Sequence, residues 1–287
     1  MDPARVFVTG ASGFLGRAVC ARLAADPAVT AVPVARRPVG PEGLQVADYA
    51  ALKPPAGAHL VHLAETPDIA AFEAEGPAGE ASADRTLEAL LAARSGRFIY
   101  VSSAAVYGDR ADHAHRPDER PTPAGRYGAM KHRHEDRVLA AGGVVLRMAN
   151  LIGPGLHGAS VLGEVLAQLD RPGPVRIRDG APERDFLPVD DAARAVAAAL
   201  QIDGPAVFNI ASGRSLSVRT LVARLLAAAG QAERPVEETA PGGRRSVLRL
   251  DIADAAEALG WRPETSLDAA LAALVSTVEP VPGSDVR

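Results

Sequence analysis

A strand, a glycine loop and a helix follow one another within the first 25 residues. Arg5-Val6-Phe7-Val8 is a short apolar run of strand character, and Thr9-Gly10-Ala11-Ser12-Gly13-Phe14-Leu15-Gly16 follows at once. An amphipathic apolar run comes next. Glycines at i, i+3 and i+6 in this place have separate physical tasks. Gly10 permits the tight turn, Gly13 lets backbone N–H groups approach a pyrophosphate, and Gly16 lets the helix pack close to the strand. The helix N-terminus then faces the phosphates. The loop predicts a dinucleotide-binding βαβ start, with Gly10, Ser12, Gly13, Phe14, Leu15 and Gly16 around the cofactor.

The next residues repeat the alternation. Strand-like runs fall at 5–9, 29–35, 59–63, 98–101 and 144–147, and helical runs at 14–25, 82–93 and 125–141. This order predicts an α/β fold, a Rossmann-type doubly wound parallel sheet covered on both faces. Beyond Asn150 the pattern loosens, with Gly and Pro clustered at 153–155, 171–174 and 241–243. Helical runs at 189–200, 217–229, 252–259 and 266–278 alternate with short strand-like pieces such as 207–210. We expect residues 1–152 to form the dinucleotide-binding domain, with some later segments returning to it. Residues 153–279 are expected to form mainly a smaller C-terminal α/β substrate lobe, and 280–287 a flexible tail. Aromatics make up only 4% of the chain, so the core must be built from Ala, Val and Leu.

Charge and composition exclude several classes. A net charge of −4 does not suit a partner held by phosphate contacts, so no nucleic acid is expected. No apolar run reaches the roughly 20 residues a membrane span needs, and no signal-peptide pattern opens the chain. A cytoplasmic protein is expected. Cys20, the single cysteine, excludes an intramolecular disulfide and any Cys-based zinc site.

The end of the second strand should select the cofactor. An NAD site usually places an acid there, on the ribose 2′-hydroxyl. Here the run is Val34-Ala35-Arg36-Arg37-Pro38. Paired guanidinium groups suit a 2′-phosphate, so Arg36 and Arg37 favour NADP(H), with NAD(H) as the alternative.

Of 31 basic residues, only Lys53 and Lys131 are lysine. Lys131 follows Tyr127 by four residues, so the two share one face of a helix. A neighbouring ammonium stabilises a phenolate, which suits a tyrosine to proton transfer near neutral pH.

Together these segments resemble the extended short-chain dehydrogenases/reductases, the NAD-dependent epimerase/dehydratase family. Residues 9–16 match TGxxGxxG, and Asp48 after Val46-Ala47 resembles the acid on the adenine. Val61-His62-Leu63-Ala64 is similar to the strand-four motif, which places Leu63 and Ala64 beside the cofactor. The run 100–108 resembles the segment that carries the catalytic Ser or Thr, here Ser103, and Tyr127 and Lys131 match YxxxK. Residues 146–154 resemble RxxNxxGP, 184–191 RDFxxVxD, and 259–263 LGWxP. The resemblance implies hydride transfer at a carbinol or carbonyl carbon. Tyr127 would be the acid or base, Lys131 its partner on the nicotinamide ribose, and Ser103 the group orienting the substrate oxygen. It also implies Ala104, Asn150, His157 and Arg184 as substrate residues, and a homodimer through the helices at 82–93 and 125–141.

Two positions depart from the family pattern. Ser82 stands where many members carry Asn, and Ala240 where many epimerases carry Arg before Pro-Gly, so diphosphate binding would move to Arg244 and Arg245. No metal is expected: His132 and His134 point apart on a helix, and His113 and His115 lie in a polar loop. With Ala104-Ala105 after Ser103, dehydration is disfavoured. The expected activity is NADPH-dependent reduction of a nucleotide-linked 4-keto-6-deoxy sugar. The alternatives are a nucleotide-sugar 4-epimerase with tightly bound NAD, and a non-catalytic nucleotide-binding interaction protein.

Overall fold

The computed structural model describes residues 3–66, 68–109, 112–156, 160–243 and 245–277. The expected tail at 280–287, His157 and Arg244 lie outside the described residues. In chain order the first half holds β1 (Ala4–Thr9), α1 (Phe14–Ala24), β2 (Val29–Ala35), β3 (Leu44–Gln45), β4 (His59–His62), α2 (Ile69–Ala93), β5 (Phe98–Ser103), α3 (Arg126–Ala140) and β6 (Val144–Met148). The second half holds β7 (Asn150–Ile152), α4 (Val161–Leu166), β8 (Val175–Ile177), β9 (Glu183–Pro188), α5 (Val189–Ala199), β10 (Ala206–Ile210), β11 (Ser215–Ser217), α6 (Val218–Ala228), β12 (Val236–Glu238), α7 (Ala253–Ala258) and α8 (Leu267–Val275).

Seven parallel strands form one sheet in the order β10-β6-β5-β4-β1-β2-β3. The central strands are apolar because both faces are covered. α1 and α5 cover one face, where Val19 and Leu23 meet Ala192, Ala195, Val196 and Ala199. α2 and α3 cover the other, with Leu87, Leu90 and Val138 against Leu60, Phe98 and Tyr100.

Two elements depart from the sequence reading. α2 begins at Ile69, well before the expected residue 82, and it is broken at Gly76 (φ 63°) ahead of Pro77. Pro cannot continue the hydrogen-bond ladder and a positive φ favours Gly, so the local signal there reads as a loop. The segment 207–210 is no piece of the C-terminal lobe. It lies in β10, which pairs with β6 and completes the sheet.

The smaller lobe holds β11-β9-β7, β12-β8, and a separate core of Leu162, Val165, Leu221, Leu225, Leu271 and Leu274. Asp191, in the first turn of α5, fastens the C-terminal segment to that helix. Its carboxylate accepts the N–H of Thr265 at 3.0 Å, and its carbonyl accepts the indole N–H of Trp261 at 3.0 Å.

Candidate active site

The glycine loop has no room for side chains at two of its glycines. Gly10 sits at φ 74°, and a Cβ there would come within 2.9 Å of the Leu63 carbonyl carbon and 3.0 Å of Ala64 Cα. A Cβ on Gly16 would lie 2.1 Å from the Gly10 carbonyl oxygen. The loop is therefore pressed against residues 63–64, and α1 against the loop. Gly13 gives α1 no capping side chain, and its first turn carries no acid. Its first N–H groups thus suit a diphosphate from outside the chain.

The loop is tied to the C-terminal end of β2 by Ala11 N–H to Val34 O at 3.2 Å. Arg36 and Arg37 follow that end as exposed residues, after buried Val34 and Ala35. Arg17, which sequence reasoning passed over, holds the rim from the other side. Its guanidinium donates to Ser12 O at 2.8 Å and to Gly155 O at 3.4 Å. Asp48 is exposed and caps the turn at 49–51 by accepting Ala50 N–H at 2.9 Å. These features fit a dinucleotide: a glycine cradle, an uncapped helix end and a basic rim.

The chemistry-bearing residues converge at the C-terminal ends of β5 and β6. Ser103 ends β5, and its hydroxyl accepts Ala105 N–H at 3.2 Å, opening the tight turn of 104–107. Gly128 lets α3 lie against that turn, since a Cβ there would come within 2.9 Å of Ala105 O. Tyr127 and Lys131 are thereby buried on α3, at 6% and 5% exposure. Tyr127 meets Phe72 edge-on at 5.7 Å, and its N–H donates to Glu73 of α2 at 3.1 Å. That acid caps α3 from a neighbouring helix, because Gly125 offers no capping side chain.

Lys131 is not an isolated ammonium. It lies 2.6 Å from Glu65 Oε2, donates to Val101 O at 2.9 Å, and sits 4.9 Å from the Tyr100 ring and 5.8 Å from the Tyr127 ring. Glu65 was not foreseen. It also accepts the Tyr100 hydroxyl at 2.9 Å and faces His134 Nδ1 at 2.8 Å. Burial pushes the Glu65 carboxyl up, but Lys131 and the imidazoles of His134 and His62 outweigh burial and hold it well below the usual carboxylate range. Burial lowers the Lys131 ammonium, but Glu65 foremost, with Tyr127 and Glu135, outweighs burial and leaves it raised. The Tyr100 phenol is raised by burial and by Glu65. An acid two residues after the strand-like run ending at Leu63 was the available sequence signal.

A cleft beside Ser103 is lined by Ala104, Asn150, Arg184, Asp109, Met148 and Leu248. Asn150 Nδ2 donates to Asp185 O at 3.2 Å. Arg184 donates to Ser246 Oγ at 2.6 Å and lies 3.7 Å from Asp109, to which Ser246 also donates. Arg245 is exposed, next to Ser246 in the chain.

The loop histidines meet at one carboxylate. His115 Nδ1 is 2.8 Å from Glu119, and His113 Nε2 is 3.1 Å from the same oxygen, while the other oxygen accepts Arg116 N–H. Among the described residues, one metal-ligating atom each from His113, His115 and Glu119 lies within 4.8 Å of the others, so the fold gathers three side chains of metal-ligating type in a loop where the sequence led us to expect no metal. His134, weighed in the sequence only as half of a metal pair with His132, is instead buried under the site.

No helix among the described residues is long and apolar enough to cross a membrane. Residues 6–211 match the model of the NAD dependent epimerase/dehydratase family. The chain is 31% identical to GDP-6-deoxy-D-mannose reductase of Pseudomonas aeruginosa, over 96% of this chain and 97% of that one. It is 29% identical to dTDP-6-deoxy-L-talose 4-dehydrogenase (NAD(P)(+)) of Kitasatospora kifunensis, over 92% of each. The UDP-glucose 4-epimerase of Thermotoga maritima, solved with UDP-glucose, superposes with a TM-score of 0.84 at 26% identity, over 95% of this chain and 98% of that one. With a glycine cradle for a nicotinamide dinucleotide and a Ser-Tyr-Lys set at the sheet's C-terminal edge, the chain belongs to the NAD dependent epimerase/dehydratase family, the extended short-chain dehydrogenases/reductases.

Proposed function

We propose that the protein is an NADPH-dependent reductase of a nucleotide-linked 4-keto-6-deoxy sugar. The observation that carries this reading is the exposed Arg36-Arg37 pair at the end of β2, where a cofactor held permanently as NAD would favour an acid. Among the chain's relatives, the GDP-6-deoxy-D-mannose reductase and the talose dehydrogenase support a net redox reaction on a deoxysugar nucleotide.

The dinucleotide, when bound, supplies the hydride. The protein's own residues hold the substrate and move the proton. Gly10, Gly13 and the α1 N-terminus would carry the diphosphate, and Arg36 and Arg37 the 2′-phosphate. Leu63, Ala64, Phe14 and Leu15 would wall the cofactor, and Ser12 and Asp48 would complete its polar contacts. Ser103 would hydrogen-bond the sugar carbonyl oxygen. Tyr127 would donate its phenolic proton to that oxygen, with Lys131 stabilising the phenolate left behind. Ala104, Asn150 and Arg184 line the cleft that would take the nucleotide end; Arg244, Arg245 and His157 are proposed from sequence alone. A homodimer would form through α2 and α3.

The second reading, a 4-epimerase, is favoured by the match to the Thermotoga maritima enzyme. The two differ in stoichiometry. A reductase oxidises one NADPH per sugar, whereas an epimerase recycles its cofactor. Incubating the purified protein with NADPH and a 4-keto-6-deoxy sugar nucleotide, and following absorbance together with the sugar product, separates them. Loss of NADPH matched by a new 4-hydroxyl sugar supports reduction. NAD that survives gel filtration, with no net NADPH loss, supports epimerisation.

A further inference from the structure

His113, His115 and Glu119 meet in the loop that follows Asp109, and the proposed reaction gives none of them a task. Glu119 Oε2 lies 3.1 Å from His113 Nε2 and 2.8 Å from His115 Nδ1. The fold fixes each group from behind. Glu119 Oε1 accepts the Arg116 N–H at 2.8 Å, and it lies 3.2 Å from His113 Nε2. Behind His113, the other ring nitrogen, Nδ1, lies 3.5 Å from Asp112 Oδ1. The His115 ring stacks on Tyr107 at 4.4 Å, with 10° between the planes. Its backbone N–H donates to Arg249 O at 2.9 Å, and its carbonyl accepts the Asp251 N–H at 2.9 Å and Asn209 Nδ2 at 2.8 Å. His115 Nε2 is buried and finds no hydrogen-bond partner among the described residues, so Nδ1 is the nitrogen this ring presents. In the sequence the pair His113-x-His115 lacked a third ligand, because only the folded loop brings Glu119 back to it.

We infer that His113, His115 and Glu119 bind one divalent ion of the zinc type, which clips this loop to β10 and to residues 249–251. Two imidazoles and a carboxylate suit Zn²⁺ or Co²⁺, whereas Mg²⁺ and Ca²⁺ take oxygen ligands. Bonds of about 2.0–2.2 Å at tetrahedral angles separate donor atoms by about 3.3–3.6 Å. The contacts of 3.1 and 2.8 Å to Glu119 Oε2 reach that range by a small retreat of the carboxylate, whose side chain is 28% exposed. The imidazole nitrogens close on the ion by rotation of the exposed His113 side chain, since the ligand atoms already lie within 4.8 Å of one another. His115 is immobilised by its stacking and backbone bonds, so binding has only His113 and Glu119 left to order. A ligating imidazole commonly gives its other N–H to a carboxylate, and Asp112 stands at that place behind His113. Three protein ligands leave a fourth position for water. Without the ion, the same groups form a hydrogen-bonded cluster in which the imidazoles donate to Glu119. The site is independent of which reaction the Ser-Tyr-Lys set performs.

The test uses the full chain without a histidine tag, dialysed against EDTA and then against metal-free buffer. Calorimetric titration with ZnCl₂ should show one ion bound per chain, and MgCl₂ should give no binding heat. CoCl₂ should produce the visible absorption of a four-coordinate Co²⁺ site. His113→Ala and Glu119→Gln change side chains that reach solvent, so they keep the fold even where replacement of buried His115 does not. Each should weaken Zn²⁺ binding by more than the about 10–100-fold expected for an outer-shell partner, and Asp112→Asn should weaken it by about that amount. His132→Ala, outside the set, should bind Zn²⁺ as the parent does. Added Zn²⁺ should raise the melting temperature of the parent and leave those of His113→Ala and Glu119→Gln unmoved. A parent that binds neither Zn²⁺ nor Co²⁺ would overturn the site and leave a hydrogen-bonded cluster only. Binding that folded His113→Ala and Glu119→Gln both retain would overturn it as well, because the ion would then sit elsewhere.

Discussion

Arg147 of β6 reaches Glu135 of α3, one turn beyond Lys131, at 2.8 Å, with side-chain exposures of 4% and 1%. The same guanidinium donates to the Tyr107 hydroxyl at 2.7 Å and to Pro117 O at 3.1 Å, and Ser102 donates to Glu135 at 2.5 Å. The pair thus pins α3, which carries Tyr127 and Lys131, to two strands of the sheet. Removing one buried partner leaves the other charge uncompensated, which costs far more than the intact pair contributes. Arg147→Met should lower unfolding stability by about 3–5 kcal/mol. Urea denaturation checks this, and adding Glu135→Gln should recover part of the loss because the orphaned charge goes with it.

Tyr127→Phe keeps the Phe72 contact and removes only the hydroxyl. It should cut kcat by at least about 10²-fold, the scale of a lost proton-transfer group. The melting temperature should stay close to that of the parent. Steady-state NADPH oxidation beside a thermal melt measures both, and turnover near the parent's would refute the assignment.

Arg36 and Arg37 are exposed, so their replacement should not disturb packing. Hydrogen bonds to a charged group are worth about 1.5–3 kcal/mol. Arg36→Ala with Arg37→Ala should therefore raise the KM for NADPH by about tenfold to a hundredfold and leave that for NADH nearly unchanged. Equal effects on both cofactors would mean the pair does not read the 2′-phosphate.

Glu119 should make stability depend on pH. Burial is the largest single influence and raises its carboxyl, but the Arg116 N–H and the two imidazoles together outweigh it and lower it to about 2. A carboxyl depressed in the folded state stabilises it above its unfolded value, and that stabilisation is lost as pH falls toward the folded one. The melting temperature of Glu119→Gln should lie below the parent's near pH 6 and converge with it as pH drops from about 4.5 to 2. A constant gap across that range would show that the carboxylate charge is not what holds the loop.

The local geometry of the candidate site was legible in the sequence wherever the information is local. Three glycines within seven residues need only their neighbours to be read, and Tyr127 with Lys131 needs only the helical period. The sheet was legible from the apolar runs for the same reason. Glu65 was not, because its partners sit at positions 62, 100, 131 and 134, and only the fold brings them together. The first half of α2 was hidden by Gly76-Pro77, which does interrupt the helix, while Phe72 packs the part before the kink against Tyr127. The place of β10 was hidden because short edge strands look alike until a partner is known.

β10 has a consequence for the order in which the molecule is made. Its partner β6 ends at Met148, yet β10 itself runs to Ile210. While the chain emerges from a ribosome, β6 waits with an open edge and α1 waits for α5, which ends at Ala199. After Met148, about fifty further residues must be made before α5 can cover α1, and about sixty before β10 can pair with β6. The sheet is finished by the half of the chain that also carries the second core, so a chain ending before residue 206 would leave the edge of β6 unpaired.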